Sequence, residues 1–440
     1  MVKFIGSYRS FFIHLANPKN RMGKFRNFIS VLGPGLLYAG AAIGVSHLVQ
    51  STRAGAEYEF DLIWVLILAN VIKYPFFEFG PRYASATGNS LIEGYRQIGN
   101  WAINLFTLLT LLTMFAIQGA VTMVTAGIAL HLFNSSLNIT QVSAIILGTT
   151  MIVLMIGRYA ILDRLIKIVI VVLATSTIIA VISAFGSPAV RVEDAARGFD
   201  WGFRPDIIFL IAFVGWMPAP VDVTVWQSLW TVAKSRTMKF RPSLSQTLLD
   251  FKTGYIGTAF LALAFLLLGA LVMYGTEESL SPSGGEFARQ LITMYTESIG
   301  EWSYFIIGIA ALTTMYSTTL TVIDAYPRVL RPLTEHYFPG IAAKPGTGRL
   351  IYWFWILLIV SGTLIFIGYL TSSMRFMVDL ATTLSFITAP LLAFLNYRVV
   401  TDKHMPEEGK PATWLRAYAW TGIIFLTAFT LFYIVWRLFL

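Results

Sequence analysis

The stretch from Pro205 to Trp230 has the length and apolar character of one membrane span, but it is interrupted in its middle. Pro218 and Pro220 remove two backbone donors, and their rings clash with the preceding turn, so a continuous helix is not expected. Unpaired backbone is not tolerated against lipid, although it is tolerated where it lines a cavity. A helix broken in mid-membrane is typical of the substrate site of a secondary transporter. The alternative is a proline kink packed against neighbouring helices.

The composition limits the class of protein. Of 440 residues, 56% are hydrophobic and 12% are charged, which is typical of a membrane protein with many spans. Cysteine is absent, so disulfides, thiolate metal sites and cysteine nucleophiles are excluded. The sequence contains no hydrolase nucleophile motif, no HExxH motif and no dinucleotide fingerprint. An enzyme is therefore not expected, and no cofactor is predicted.

Long apolar stretches predict eleven helical spans, each near the roughly 20 residues that a bilayer requires. The predicted spans are residues 28–52, 62–86, 102–131, 142–158, 163–186, 206–232, 248–274, 302–330, 350–370, 376–397 and 415–437.

Basic residues predict the orientation in the membrane. They are concentrated in segment 1–27 and in the loops on its side, whereas the opposite loops carry few, Arg53 and Arg375 among them. The long loop 275–301 on that opposite side is acidic. The positive-inside rule then predicts an integral protein of the cell (inner) membrane, with its N-terminus cytoplasmic and its C-terminus outside. The net charge of +9 therefore comes mostly from basic residues in the loops on the cytoplasmic side, and it does not indicate nucleic-acid binding.

Two spans carry helix-breaking sequences at matching positions. Span 1 contains Gly33-Pro34-Gly35 and the small residues of 40–47, and span 6 contains the two prolines. These are the first spans of two successive sets of five, and the second set enters from the opposite side because five is odd. We therefore predict an inverted repeat with broken helices in corresponding positions. The predicted units are an N-terminal segment at 1–27, a first repeat at 28–186, a second at 205–397 and a last helix at 415–437. No oligomeric state is predicted.

Four segments resemble one known family, the Nramp divalent-metal transporters. The run from Gly33 to Ala56 resembles the first helix of that family, and the run from Trp64 to Gly88 resembles the second. Met217-Pro218 resembles the start of the Met-Pro-His motif in the family's sixth helix, and residues 317–321 resemble its eighth. The resemblance covers most of the chain. It implies a LeuT-like fold with eleven helices and transport by alternating access.

The first-helix metal motif of the family is not retained. The family has Asp-Pro-Gly-Asn at this place, and its Asp and Asn bind metal. The four matching positions here are Gly44, Val45, Ser46 and His47. The carboxylate that such a motif offers a divalent cation is therefore missing.

The other family ligands are also altered. Met217 matches the sixth-helix methionine, whereas the histidine after it is replaced by Ala219 and a second histidine by Thr224. Two acidic residues on the family's proton route fall near Gly119 and Thr122. The resemblance therefore implies the family fold with a changed substrate site.

Two ionisable residues next to the breaks are candidates for function. Asp222 lies just beyond the break of span 6, where it either stabilises the start of the second half-helix or binds a cation or proton in a central cavity. His47 lies at a family ligand position. It is either a hydrogen-bonded structural histidine or a substrate donor and proton acceptor.

Span 8 holds two further groups of interest. The hydroxyls of Ser317 and Thr318 are candidates for a coupling-ion site, with helix packing as the alternative. Asp324 and Arg328 are four residues apart, and this spacing predicts a structural ion pair on one helix face.

We predict a secondary transporter for a small organic solute or a monovalent cation, coupled to Na⁺ or H⁺. Its substrate site is predicted to lie between the breaks of spans 1 and 6, at Gly44, Ser46, His47, Met217, Ala219 and Asp222. The alternative is a divalent-metal transporter whose rearranged site consists of His47, Met217 and Asp222. A channel or a sensor is a third possibility.

Overall fold

A computed structural model describes residues 33–157, 159–186, 192, 197–237, 242–276, 278–370 and 373–439. The predicted N-terminal segment 1–27 and the first five residues of predicted span 1 lie outside these residues, so that unit stays a prediction. The described residues form helices and connecting loops, with no strand in these ranges.

The α-helices are numbered here in chain order. They are α1 (Pro34–Ala42), α2 (Thr52–Tyr58), α3 (Ile63–Thr87), α4 (Leu91–Ile98), α5 (Asn100–Leu132), α6 (Ile139–Ile156), α7 (Tyr159–Gly186), α8 (Arg204–Trp216), α9 (Val223–Thr237), α10 (Leu244–Val272), α11 (Gly284–Ile299), α12 (Tyr304–Tyr337), α13 (Pro339–Ala342), α14 (Thr347–Leu370), α15 (Met374–Thr401) and α16 (Thr413–Phe439).

Nine helices of the described residues are long and apolar enough to cross a membrane, namely α3, α5, α6, α7, α10, α12, α14, α15 and α16. Two further spans are broken in the middle: α1 with α2, and α8 with α9. Together these account for the eleven predicted spans, in the predicted order. The five-plus-five arrangement with helices 1 and 6 broken is confirmed, and the protein is an integral membrane protein.

The first break is a change of helix type. After Ala42 the chain leaves the helical region at Ile43, whose φ is −76° and ψ is 62°. The amide of Gly44 then donates to the carbonyl of Ala42 over 2.8 Å, which closes a tight turn. A π-helical turn at Ser46–Ser51 follows and runs into α2. Local π-helical turns are frequent at functional sites.

The second break follows from the two prolines. α8 ends at Trp216, and Met217 adopts an extended conformation with φ −93° and ψ 118°. Because Pro218 and Pro220 carry no N–H, the helical hydrogen bonds that they would have made are lost. The chain resumes helical structure only at Val223, where α9 begins.

The first span packs along α10 through a seam of glycines. A methyl group added at Gly254 would lie 2.2 Å from the carbonyl oxygen of Gly35, and one added at Gly55 would lie 1.9 Å from the carbonyl oxygen of Leu266. The glycine seam therefore brings backbone against backbone on both sides of the first break. Such small-residue contacts are typical of helix packing in membranes.

Gly254→Leu is expected to lower the free energy of unfolding by about 2 kcal/mol or more, because the side chain would overlap the backbone of α1. At Gly257, one turn along α10, an added methyl group would have no atom of the other described elements within 4 Å. Gly257→Leu is therefore the matched control and is expected to stay within about 0.5 kcal/mol of wild type. Unfolding in mixed micelles measures both, and equal losses in the two variants would contradict the packing described.

Candidate functional site

A small cavity lies between the two broken helices. This break cavity, of about 20 Å³, is bounded by both breaks and by α5 and α12. Its lining is mostly apolar, and its hydroxyls come from Ser46 and Thr318. Ala219 also lines it. A space of this size holds about one water molecule. The break cavity can therefore enclose an ion or water, and larger species require it to open.

A second cavity adjoins the first. This Asp222 cavity, of about 10 Å³, shares Ile117 and Pro220 with the break cavity. It is more polar, because Asp222 faces four hydroxyl-bearing side chains: Thr110, Thr113, Ser385 and Thr388. A carboxylate and hydroxyl oxygens are hard ligands, which suit hard cations.

The Asp222 carboxylate is buried and incompletely hydrogen-bonded. The residue is 9% exposed and immediately precedes α9. Its Oδ2 accepts a hydrogen bond of 3.4 Å from the hydroxyl of Tyr326, whose ring also packs edge-on against Trp226. Within the described residues its Oδ1 has no hydrogen bond of good geometry, although the backbone amides of Asp222 and Val223 lie close to the carboxyl group. A buried carboxylate oxygen without a partner is costly, so it suits a group that binds a proton or cation.

His47 faces away from both cavities. The ring is fully buried, its Nε2 lies 2.9 Å from the carbonyl oxygen of Thr258 on α10, and its Nδ1 lies 2.8 Å from Ser46 Oγ. A carbonyl oxygen only accepts, so Nε2 carries a hydrogen and donates to Thr258. Both ring nitrogens are thus engaged, and His47 joins the first break to α10.

Met217 also lies apart from the cavities. Its side chain is fully buried in a cluster of apolar residues that includes Val65, Phe213 and Phe386. His47, Met217 and Asp222 therefore lie in three different surroundings. Among the described residues, no group of three His, Cys, Asp or Glu side chains lies close enough to hold a metal ion.

Gly44 and Thr318 are in direct contact. A methyl group added at Gly44 would lie 2.9 Å from both Cγ2 and Oγ1 of Thr318, so the first break packs directly on α12. Thr318 Oγ1 is 3.1 Å from the carbonyl oxygen of Thr314 and 3.4 Å from that of Gly40. Ser317 is buried next to it on α12. The break of span 1 therefore contacts α12 at the place where the coupling-ion site is predicted, and hydroxyl and carbonyl oxygens are present there.

Asp324 and Arg328 lie close together on α12. Arg328 Nε donates to Asp324 Oδ2 over 2.7 Å, and the hydroxyl of Tyr352 donates to Oδ1 over 2.6 Å. The Arg328 side chain is 53% exposed. Both oxygens of Asp324 therefore have partners, in contrast to those of Asp222.

An ion network around one buried arginine joins α2 to α15. Arg53 on α2 is 4% exposed, and its Nη1 lies 2.8 Å from Asp379 Oδ1 on α15. Glu57 contacts both Arg53, at 3.4 Å, and Arg375, at 3.2 Å. We call these four residues the Arg53 network. Sequence reasoning assigned Arg53 and Arg375 to loops. The four-residue spacing of Arg53 and Glu57 in the sequence could have predicted their contact, which is one part of the network.

Comparisons with known proteins agree with this architecture. The family model for Nramp, described as natural resistance-associated macrophage protein-like, matches residues 35–436. An uncharacterized protein of Pasteurella multocida is 36% identical over 408 residues, which cover 92% of each chain. The metal transporter Nramp6 of Arabidopsis thaliana is 29% identical over 72 residues, or 16% of this chain and 14% of that protein.

Solved structures share the fold at low sequence identity. A mutant manganese transporter of Eremococcus coleocola superposes with a TM-score of 0.66 at 14% identity, over 93% of this chain and 87% of that one. MhsT in complex with L-phenylalanine gives a TM-score of 0.57 at 16% identity, over 90% of this chain and 98% of that one.

Proposed function

This chain belongs to the Nramp family of transporters, and from the residues at its two breaks we infer that its cargo is a small monovalent cation. The observation that carries this proposal is the buried Asp222 carboxylate with its unpartnered Oδ1, facing a cavity of hydroxyl groups. The transport mechanism we propose is alternating access, in which the two breaks enclose the cation and the surrounding helices expose it to each side in turn.

The charge at the site supports a single positive charge on the cargo. Among the described residues Asp222 is the one carboxylate that lines either cavity, and by resemblance in sequence Gly44 matches the position of the family's metal-binding aspartate. A monovalent cation beside Asp222 gives a neutral pair. A divalent cation would keep one net charge in a low-dielectric site, and an uncompensated buried charge costs several kcal/mol.

The size of the cavities favours a cation over an organic solute. The break cavity, of about 20 Å³, and the Asp222 cavity, of about 10 Å³, match a species of the size of water. An organic solute would require Ile117 and Pro220, which separate the two spaces, to move apart. We therefore place the organic solute second among the non-metal cargoes.

Divalent-metal transport is the second candidate function. It is favoured by the likeness to a manganese transporter and to a plant metal transporter. It would need Asp222, His47 and Met217 to act together, whereas His47 contacts α10 and Met217 lies in an apolar cluster. Metal transport therefore requires a conformation in which those side chains turn toward Asp222.

We propose that the N-terminus is cytoplasmic, the C-terminus is outside and the membrane is the cell (inner) membrane. In this orientation the Arg53 network closes the outer side of the break cavity. Na⁺ and H⁺ are the proposed coupling ions, with Ser317 and Thr318 as the candidate coupling-ion residues.

Uptake into proteoliposomes tests the cargo. We expect saturable uptake of radioactive sodium or rubidium, above that of empty vesicles and dependent on an imposed ion or pH gradient. Manganese uptake is expected to stay near the level of empty vesicles. Saturable manganese uptake without uptake of either monovalent ion would contradict the proposal and establish the family's metal function. Flux that does not saturate would indicate a channel.

A further inference from the structure

Lys73 is a buried cation that the proposed function does not use. It lies on α3, its side chain is fully buried, and its Nζ donates to the carbonyl oxygens of Val214 at 2.5 Å and Gly215 at 2.9 Å. In the described part of the chain its two partners are both backbone carbonyls, and no carboxylate forms an ion pair with it. A buried ammonium without a carboxylate is rare and points to a specific role.

The two carbonyls are available because the helix is broken. In a continuous helix Val214 would accept from the amide of residue 218, but Pro218 has no N–H. Gly215 would accept from the amide of Ala219, but the chain leaves the helix at Met217. The amide of Met217 lies 3.4 Å from the Val214 oxygen, a weak contact. Lys73 therefore supplies from another helix the donors that this break removes.

The carbonyl end of α8 is suited to a positive charge. A helix C-terminus carries partial negative charge on its unpaired carbonyls. In secondary transporters with broken helices, such carbonyl ends coordinate the coupling cation. Here the ammonium of Lys73 occupies that place.

We propose that the carbonyl end of α8 is a cation-binding site whose resident cation is the ammonium of Lys73. The protein thus carries, as a side chain, the charge that a dissolved ion would otherwise supply at this break. Its ligand class is a primary ammonium or a sodium-sized cation, bound by the oxygens of Val214 and Gly215. The proposal goes beyond the proposed function, because this site lies before the break and the Asp222 carboxylate lies after it.

The two charges complement the two half-helices. Lys73 is bound at the carbonyl end of α8, and Asp222 immediately precedes the amide end of α9. Each charge is favourable at its helix end. It follows that the wild-type break needs no dissolved cation at α8, so sodium would not stabilise the protein through this site.

Thermal unfolding of the full chain in detergent tests the proposal. We expect Lys73→Ala, which removes the ammonium and opens a space for a small ligand, to unfold about 5 °C or more below wild type. Added n-propylammonium chloride, which matches the three carbons and the nitrogen that the substitution removes, is expected to restore at least half of this loss in a saturable way. Tetramethylammonium, which cannot donate, is expected not to restore it, with ionic strength held constant. The unfolding temperature of wild type is expected to show no saturable change with either ammonium salt.

Two further variants keep the test decisive. Lys73→Met fills the space without a charge, so we expect a lower unfolding temperature and no response to propylammonium. Lys73→Gln offers an uncharged amide oxygen beside the two carbonyls, and we expect a saturable stabilisation by sodium beyond any that wild type shows. If Lys73→Gln equals wild type without any cation, or if propylammonium does not stabilise Lys73→Ala, the carbonyl end is no cation site and the proposal is wrong. These measurements need no transport, so they can succeed or fail independently of the cargo assignment.

Discussion

Asp222→Asn is expected to lower the uptake of monovalent cations about 100-fold or more, without loss of stability. The amide keeps the volume of the carboxyl group and removes its charge, so a cation would enter the cavity uncompensated. A loss of about 3 kcal/mol in cation binding, the lower end for an unpaired buried charge, corresponds to roughly a hundredfold in affinity. Asn is about as favourable as Asp at a helix start, and Oδ1 of the wild-type carboxylate has no partner in the described residues, so the variant should unfold at an equal or higher temperature.

Asp324→Asn is the matched control for this prediction. It also removes a carboxylate from a span, but both oxygens of Asp324 are bound by Arg328 and Tyr352 on the side of α12 away from the cavities. We expect uptake within about threefold of wild type and a modest loss of stability, of roughly 1 kcal/mol. Uptake in proteoliposomes and thermal unfolding measure both variants. Normal uptake by Asp222→Asn, or a larger transport defect in Asp324→Asn, would show that the cation site lies elsewhere.

Asp379→Asn is expected to shift the protein toward a state that is open on the side of the Arg53 network. The change leaves the buried Arg53 guanidinium with the more distant Glu57 as its acidic partner. Asn keeps an oxygen that accepts from Arg53 but removes the charge, and a hydrogen bond to a charged group contributes about 1.5–3 kcal/mol. The substitution therefore destabilises the closed state, in which α2 and α15 are in contact. An open arrangement hydrates Arg53 and avoids the cost.

Cysteine labelling measures this shift, because the chain contains no cysteine of its own. Val121→Cys places one thiol in the lining of the break cavity, at a position that is 2% exposed. We expect a water-soluble methanethiosulfonate to label this thiol at least tenfold faster in the Asp379→Asn background. Glu286→Gln, which removes an exposed ion pair with Arg289, is the control and should not change the labelling rate. Equal rates in all backgrounds would mean that the Arg53 network does not close the cavity.

The sequence could predict the spans and the breaks because their signals are local. Pro218 and Pro220 act on the turn that precedes them, so the end of α8 at Trp216 follows from two residues. The side-chain directions at the first break could not be predicted in the same way. The break of span 1 has no helical period, so nothing in the local pattern shows that His47 turns to Thr258, 211 residues away, and not into the cavity. The direction of the Lys73 side chain could not be predicted either, because the carbonyls that it contacts lie 141 and 142 residues along the chain.

The glycine seam has a consequence for how the molecule can move. Backbone contacts join the first span to α10 on both sides of its break, at Gly254 with Gly35 and at Gly55 with Leu266. Neither half of the span can swing away from α10 without opening a void that no side chain fills, and packed cores resist such deformation. The first span and α10 must therefore turn as one rigid body, and the sliding surface lies opposite, where Gly44 touches Thr318. A cross-link between α1 and α10 should leave turnover intact, whereas one between residues 44 and 318 should stop it.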